Sequence, residues 1–243
     1  MKNAGRVIKA MVSRQWIIAT IAVIAGMIVL ARLGFWQLDR LEQRRGQNAA
    51  LAAALASAPV NLNDGGLPDA LTPLKNRDAV AQGEFDFAYQ GIVKLQNYQS
   101  KPGVHLIAPL VLDGGETAVL VNRGWVPEAD SYADYNEPGS LTINGYVGLT
   151  QTLNRDSGVS AVTEELAWYR VDIEAIQAQM PYDLLPIYIN QAPEANDAPP
   201  FRAEREVDLS EGPHMGYAIQ WFLFAAVLAV MYTALVYKDV RSP

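Results

Sequence analysis

His214 is one of only two histidines in this 243-residue chain, and it stands at the head of a long apolar run. That run opens as Gly212-Pro-His-Met-Gly-Tyr-Ala-Ile-Gln-Trp-Phe and carries no charged residue from Tyr217 to Tyr237. At the helical rise those residues span roughly 31 Å, about the thickness of a bilayer's hydrocarbon core. Gly212 and Pro213 read as N-cap and first helical residue, which puts His214 in the first turn, near the membrane surface. A helix N-terminus favours the uncharged imidazole, the form that binds metals. His214, Tyr217 and Trp221 fall at i, i+3 and i+7 and share one helix face. Two readings stand side by side. One is an interfacial polar residue at a helix end, which needs no ligand. The other is an axial ligand for a haem iron at the membrane surface, with Tyr217, Trp221 and Phe222 as an aromatic wall.

Other residues offer less specific chemistry. Trp36, Gln37 and Arg40 follow a first apolar run; belt anchoring plus a surface charge accounts for them, as does part of a binding surface. Arg123-Gly-Trp-Val-Pro closes a strand: Arg123 can bind a carboxylate or a haem propionate, and Trp125 can serve as a platform. The competing reading has Trp125 in the core and Arg123 paired with one of the many acids, and chemistry alone favours it. His105 follows Pro102-Gly103 in a strand and reads as a core or edge histidine. The acids adjoin only at Glu164-Glu165, and neighbours in sequence do not face each other on a helix. With no nucleophile elbow, P-loop or dinucleotide fingerprint, the sequence gives catalysis no footing. The absence of cysteine excludes disulfides and thiolate metal sites, and two histidines exclude a multi-histidine cage.

Two membrane helices and a β-rich domain must position these residues. The first apolar run starts at Trp16 and extends through Leu33, Phe35 and Trp36; Arg32 near its outer end can snorkel to the interface. A cleaved secretory signal is the alternative, but the run is long for one and flows unbroken into a helical segment, so an uncleaved anchor is expected. Residues 1–15 carry four bases and no acid, the short tail is also basic, and the acidic excess behind the net charge of −7 lies between the two runs. The positive-inside rule then places both termini in the cytoplasm or matrix. The expected organisation is a cytoplasmic N-terminus (1–15), a span (16–37), an extracytoplasmic domain (38–212), a second span (213–237) and a cytoplasmic tail (238–243). The acidic body also excludes nucleic acid as a partner.

Between the spans, Asn48–Ala58 reads as helix stopped by Pro59. Strands are predicted over Ala79–Phe87, Gly91–Tyr98, Val104–Leu112, Thr117–Asn122, Leu141–Leu149 and Pro186–Gln191, with a short helix over Asp172–Gln179 and loops over Tyr132–Gly139 and Glu194–Pro200. Asp113-Gly-Gly between two of those strands is a hairpin signal. The fold class expected is an α+β membrane protein: two terminal transmembrane helices flanking a mainly antiparallel β domain, a small barrel or curled sheet.

Four stretches together resemble the surfeit-locus family of cytochrome c oxidase assembly factors. They are Leu33-Gly-Phe-Trp-Gln-Leu-Asp-Arg, Pro102-Gly103 with Pro109-Leu110, Val121-Asn-Arg-Gly-Trp-Val-Pro, and Pro213-His-Met-Gly-Tyr-Ala-Ile-Gln-Trp-Phe. Each is weak alone, but the four occur in order along nearly the whole chain. The resemblance implies a non-enzymatic membrane protein acting on subunit I of haem-copper oxidases. It would carry haem a or help its insertion, with haem a synthase as donor and membrane lipids around it. His214 matches the family's candidate iron ligand. Arg123 and Trp125 match its Arg-Gly-Trp element, and Trp36, Gln37 and Arg40 its first-helix element. A protein-only chaperone that stabilises subunit I without haem is the alternative. The N-terminus lacks the longer Arg/Ser-rich extension of an import sequence, so a bacterial plasma membrane is expected over the mitochondrial inner membrane.

Overall fold

The computed structural model describes residues 2–152, 162–164, 166–194 and 198–241. Glu165 of the acidic pair and residues 195–197 of the predicted Glu194–Pro200 loop lie outside the described residues. The chain forms two units, Met1–Ala49 with Asp208–Pro243, and Ala50–Val207.

Three helices make the first unit: α1 (Lys2–Met11), most of α2 (Ile17–Ala56) and α4 (His214–Arg241). Both α2 and α4 are long and apolar enough to cross a membrane, yet only 6% and 11% of their most apolar stretches are buried. A soluble core helix would be mostly buried; this much exposed apolar surface calls for lipid. The chain is membrane-associated through these two helices. They pair antiparallel, as their contacts show. Arg45 forks onto Glu211, the Phe222 ring meets Phe35 edge-on at 5.3 Å, Gly26 faces Leu228, and the Thr20 hydroxyl bonds that of Tyr232. Gly34 leaves room for the Phe222 ring, from which a Cβ there would lie 2.7 Å. Small residues at such crossings are how membrane helices pack.

The expected helix over Asn48–Ala58 is the end of α2, which runs without a break from Ile17 to Ala56. The start of α4 differs from expectation. Its first residue is His214, and the Pro213 carbonyl accepts from Tyr217 N at 3.1 Å. Pro213 is therefore the capping residue, and Gly212 forms the turn before it at φ +69°.

The second unit carries nine strands: β1 (Val60–Asn61), β2 (Asp78–Phe85), β3 (Gly91–Tyr98), β4 (Lys101–Leu112), β5 (Thr117–Val126), β6 (Ser140–Leu149), β7 (Val162–Glu164), β8 (Ala167–Trp168) and β9 (Asp183–Gln191). A short helix α3 (Ile173–Gln177) follows Asp172, whose carboxylate accepts from Ala175 N. Because β2 pairs with both β6 and β4, the order β2-β6-β9-β5-β4 closes on itself as a five-stranded barrel. Closure removes the edges that would otherwise be exposed. Its interior is filled by Ala81, Phe85, Leu110, Val121, Ile143, Val147, Ile187 and Ile189. On the other side of the wall, Trp168, Ile173 and Ile176 pack over Ile107, Leu120 and Tyr188. Most pairings are antiparallel, but β5–β9, β1–β2 and β3–β8 run parallel. The chain is thus α+β, with two apolar terminal helices flanking a β-rich domain.

One irregularity shapes the candidate site. Leu106 pairs with Gly124 while Ile107 pairs with Asn122, so Arg123 is the extra residue of a β-bulge. Gly124 beside it has φ +117°, and a Cβ there would sit 2.7 Å from the Phe201 carbonyl oxygen. Only glycine accepts both constraints.

Candidate functional site

In the membrane unit, residues from two helices meet at His214. Its Nδ1 lies 2.9 Å from Gln37 Oε1. A carbonyl oxygen only accepts, so Nδ1 is the donor in this bond, and in the neutral ring that leaves Nε2 with the lone pair. The hydrogen bond that orients a metal-binding imidazole in most proteins has this form. His214 and Gln37 are both half-buried, whereas Trp36 and Tyr217 are exposed at 49% and 48%. Arg40 lies one turn from Gln37 on α2; its guanidinium stands 5.5 Å from the Trp36 ring centre and donates to Gln43 at 2.9 Å. On α4, Trp221 meets Phe224 edge-on at 6.0 Å. The structure thus brings His214 and Gln37 together, while Trp36 and Arg40 stay with neighbours on α2 and Trp221 with Phe224 on α4. Two ion pairs flank this turn, Arg44 with Asp208 and Arg45 with Glu211. Hydrogen bonds from Ser210 hold the Asp208 carboxyl below its usual range, and the Arg45 contact does the same for Glu211.

In the barrel domain, Arg123 and Trp125 occupy a different environment. Arg123 is fully buried, with its guanidinium 5.0 Å from the Phe85 ring centre and 5.1 Å from that of Phe87. It donates to Gln90 Oε1 at 2.7 Å, to the Tyr135 carbonyl, and to Glu137 Oε1 at 3.1 Å. Burial pulls its pKa below the ordinary guanidinium value, opposed by the Glu137 carboxylate. Trp125 is 3% exposed and joins Tyr98 and Phe201 in an aromatic cluster, where Tyr98 and Phe201 stack at 5.0 Å. Its backbone exchanges two hydrogen bonds with Phe201. Arg202 then donates to the Arg123 carbonyl at 3.2 Å and pairs with Glu137 and Glu194. Arg205 continues the attachment, donating to the Asn76 carbonyl and to Asp78 at 2.7 Å each. The Arg-Gly-Trp element thus anchors the segment over residues 201–205 to the barrel.

Gln90, Glu137, Phe201, Arg202 and Arg205 play parts that the sequence reading did not assign. The available signal was local: Arg202 and Arg205 stand among Glu194, Glu204, Glu206, Asp208 and Glu211. His105 lies in β4, where Asn122 Nδ2 approaches its Nδ1 at 3.1 Å, and burial lowers its pKa to about 4. Among the described residues, no group of three or more His, Asp or Glu side chains is placed to hold a metal ion.

The model of the SURF1 family matches residues 24–226, from the first membrane helix through the barrel into the second. The chain belongs to the SURF1 family. Three relatives illustrate the likeness. A SURF1-like protein of Caenorhabditis briggsae is 25% identical over 242 residues, covering 90% of this chain and 75% of its own. Surfeit locus protein 1 of Mus musculus is 25% identical over 221 residues, 82% of this chain and 70% of its own. The cytochrome oxidase assembly protein SHY1 of Saccharomyces cerevisiae is 28% identical over 101 residues, 42% of this chain and 26% of its own. The SURF1 match spans both units, and it includes Trp36, Gln37, Arg40, Arg123, Trp125, His214, Tyr217 and Trp221.

Proposed function

We propose that this chain is an assembly factor for a haem-copper (cytochrome c) oxidase that binds haem a reversibly and helps its insertion into subunit I. Membership of the SURF1 family and the name of the yeast relative, a cytochrome oxidase assembly protein, support the oxidase-assembly part. The observation that carries the haem part is the His214–Gln37 hydrogen bond, which orients the ring through Nδ1 and leaves Nε2 as the nitrogen for a metal. This donor set fits a haem, because the porphyrin brings four iron ligands and asks the protein for one imidazole. In this reading His214 ligates the iron, Gln37 positions the ring, and Tyr217 and Trp221 pack on the macrocycle. Arg40, with Trp36 beneath it, faces the propionates. The haem supplies redox chemistry only in the oxidase it is destined for. This chain holds and releases it and catalyses no reaction. Haem a synthase is the donor, and both chain termini lie on the cytoplasmic or matrix side. Arg123 and Trp125 act indirectly, by fixing the segment that leads to α4.

A protein-only chaperone of subunit I is the second reading, and the burial of Arg123 and Trp125 favours it, since neither presents a surface to a propionate. An optical spectrum of the detergent-purified chain separates the two, taken after co-expression with the haem a biosynthetic enzymes. The haem reading predicts a Soret band that His214→Ala removes. A haem-free wild-type protein under haem-replete conditions would leave the chaperone reading standing.

A further inference from the structure

At the end of the membrane unit that carries both termini lies a surface cavity of about 600 Å³, lined by none of the residues assigned to haem. Its walls include Arg6 and Lys9 of α1, Ser13 and Gln15 of the following turn, Trp16, and Asp239 of α4. Arg6 and Lys9 are exposed and lie one turn apart on α1. Val7 on another face is buried, and α1 packs on α4. Ile8 and Val12, by contrast, are each 64% exposed. A helix with one face on protein, one basic face and exposed aliphatic residues between them belongs at a bilayer interface. Trp16 fixes the depth: its indole donates to Asp239 Oδ2 at 3.0 Å and meets Tyr232 edge-on at 6.1 Å. Indoles at span ends sit at headgroup level. That bond also engages the one acid of the lining, and residues 1–15 contain no other.

We infer that this cavity is a binding site for an anionic phospholipid. Arg6 and Lys9 take the phosphodiester, and Ser13 and Gln15 offer hydrogen bonds to the rest of the headgroup. The acyl chains run along Ile8 and Val12. The cavity has the size of an ordinary small-molecule site, roughly 300–1,000 Å³. The exposed aliphatic residues are what select a lipid over a free anion, which would gain nothing from them. The inference requires α2 and α4 to sit in a membrane and is independent of haem.

The test uses the full chain in detergent micelles, titrated with bromine-labelled phosphatidylglycerol or phosphatidylcholine. Quenching of Trp16 is read as the difference from a Trp16→Phe protein. Phosphatidylglycerol should quench saturably and at least about tenfold more tightly than phosphatidylcholine. Arg6→Gln with Lys9→Gln should weaken phosphatidylglycerol about 30-fold, the effect of two basic groups at a membrane surface, and leave phosphatidylcholine unchanged. Arg6→Lys with Lys9→Arg should retain the preference. Raising salt to about 0.5 M on the wild type should erode the preference without any substitution. Equal quenching by the two lipids, or an unaltered preference in the Gln variant, overturns the site. Glycerol phosphate competing as tightly as the intact lipid overturns its assignment to a lipid.

Discussion

His214 and Arg123 are both polar residues that suit haem, yet their surroundings differ in one decisive respect. His214 is half-buried and bonds one neighbour, Gln37, through the nitrogen that a metal does not need. Arg123 is fully buried and bonds Gln90, Tyr135 and Glu137 inside its own domain. An oriented side chain with a remaining valence is poised to bind. A side chain whose two terminal nitrogens are engaged in the interior holds structure. The same contrast separates Arg40, exposed over Trp36, from Arg202, whose guanidinium joins Glu137, Glu194 and the Arg123 backbone. Residue type alone ranks these groups together; burial and partners divide them.

Substitutions sharpen the division, because one set should disturb stability and the other haem. Gly124→Ala should have the largest effect on folding, at least about 3 kcal/mol. It forces a Cβ into a left-handed backbone and against the Phe201 carbonyl. Thermal unfolding of the full chain by near-ultraviolet circular dichroism measures this, and haem bound per folded protein should be unchanged. Arg123→Met should cost somewhat less, about 2–3 kcal/mol, by leaving Gln90 and the Tyr135 carbonyl without their donor. If it instead abolished haem binding in a protein of wild-type stability, Arg123 would belong with His214.

Gln37→Leu should leave stability nearly unchanged and weaken haem binding about 10–100-fold, the usual effect of removing the partner that orients a ligating histidine. A Soret titration of the purified protein reads it directly. A further effect, seen only as the pH is lowered, concerns His105. Its unfolded form takes a proton near pH 6.5, while the folded domain resists it until about 4. Stability from this residue is therefore complete above pH 6.5 and declines as the pH falls through that window. Unfolding midpoints across the range should show the decline, and His105→Phe should flatten it without altering the haem spectrum.

Much of the architecture is legible in the sequence because its signals are local. The two apolar runs, the Asp113-Gly-Gly hairpin and the alternating strands each declare themselves within one short stretch of sequence. The strand over Gly91–Tyr98 has the predicted ends, while β4 begins at Lys101, before Val104. Its hairpin turn is Gln99-Ser100, both at positive φ, without the glycine or asparagine that usually marks such a turn. β5 runs on to Val126 because its pairing with β4 resumes beyond the bulge. β1, β7 and β8 are two or three residues long, too short for any periodicity to announce them. Contacts distant in sequence were hidden for a stronger reason. Gln37 and His214 were each singled out, but nothing in the sequence joins residues 177 positions apart. Glu137, one of many scattered acids, became the partner of Arg123 only through the bulge and the loop over residues 132–137.

The central claim is that His214 Nε2 is the haem ligand, and the most direct measurement is pulsed electron paramagnetic resonance on the ferric haem-loaded full chain. The protein should be labelled with ¹⁵N-histidine, which marks only His105 and His214. The account predicts a strong ¹⁵N coupling to the iron that persists in His105→Phe and is lost in His214→Ala. Bound haem with no ¹⁵N coupling, or a coupling that survives His214→Ala, would contradict it.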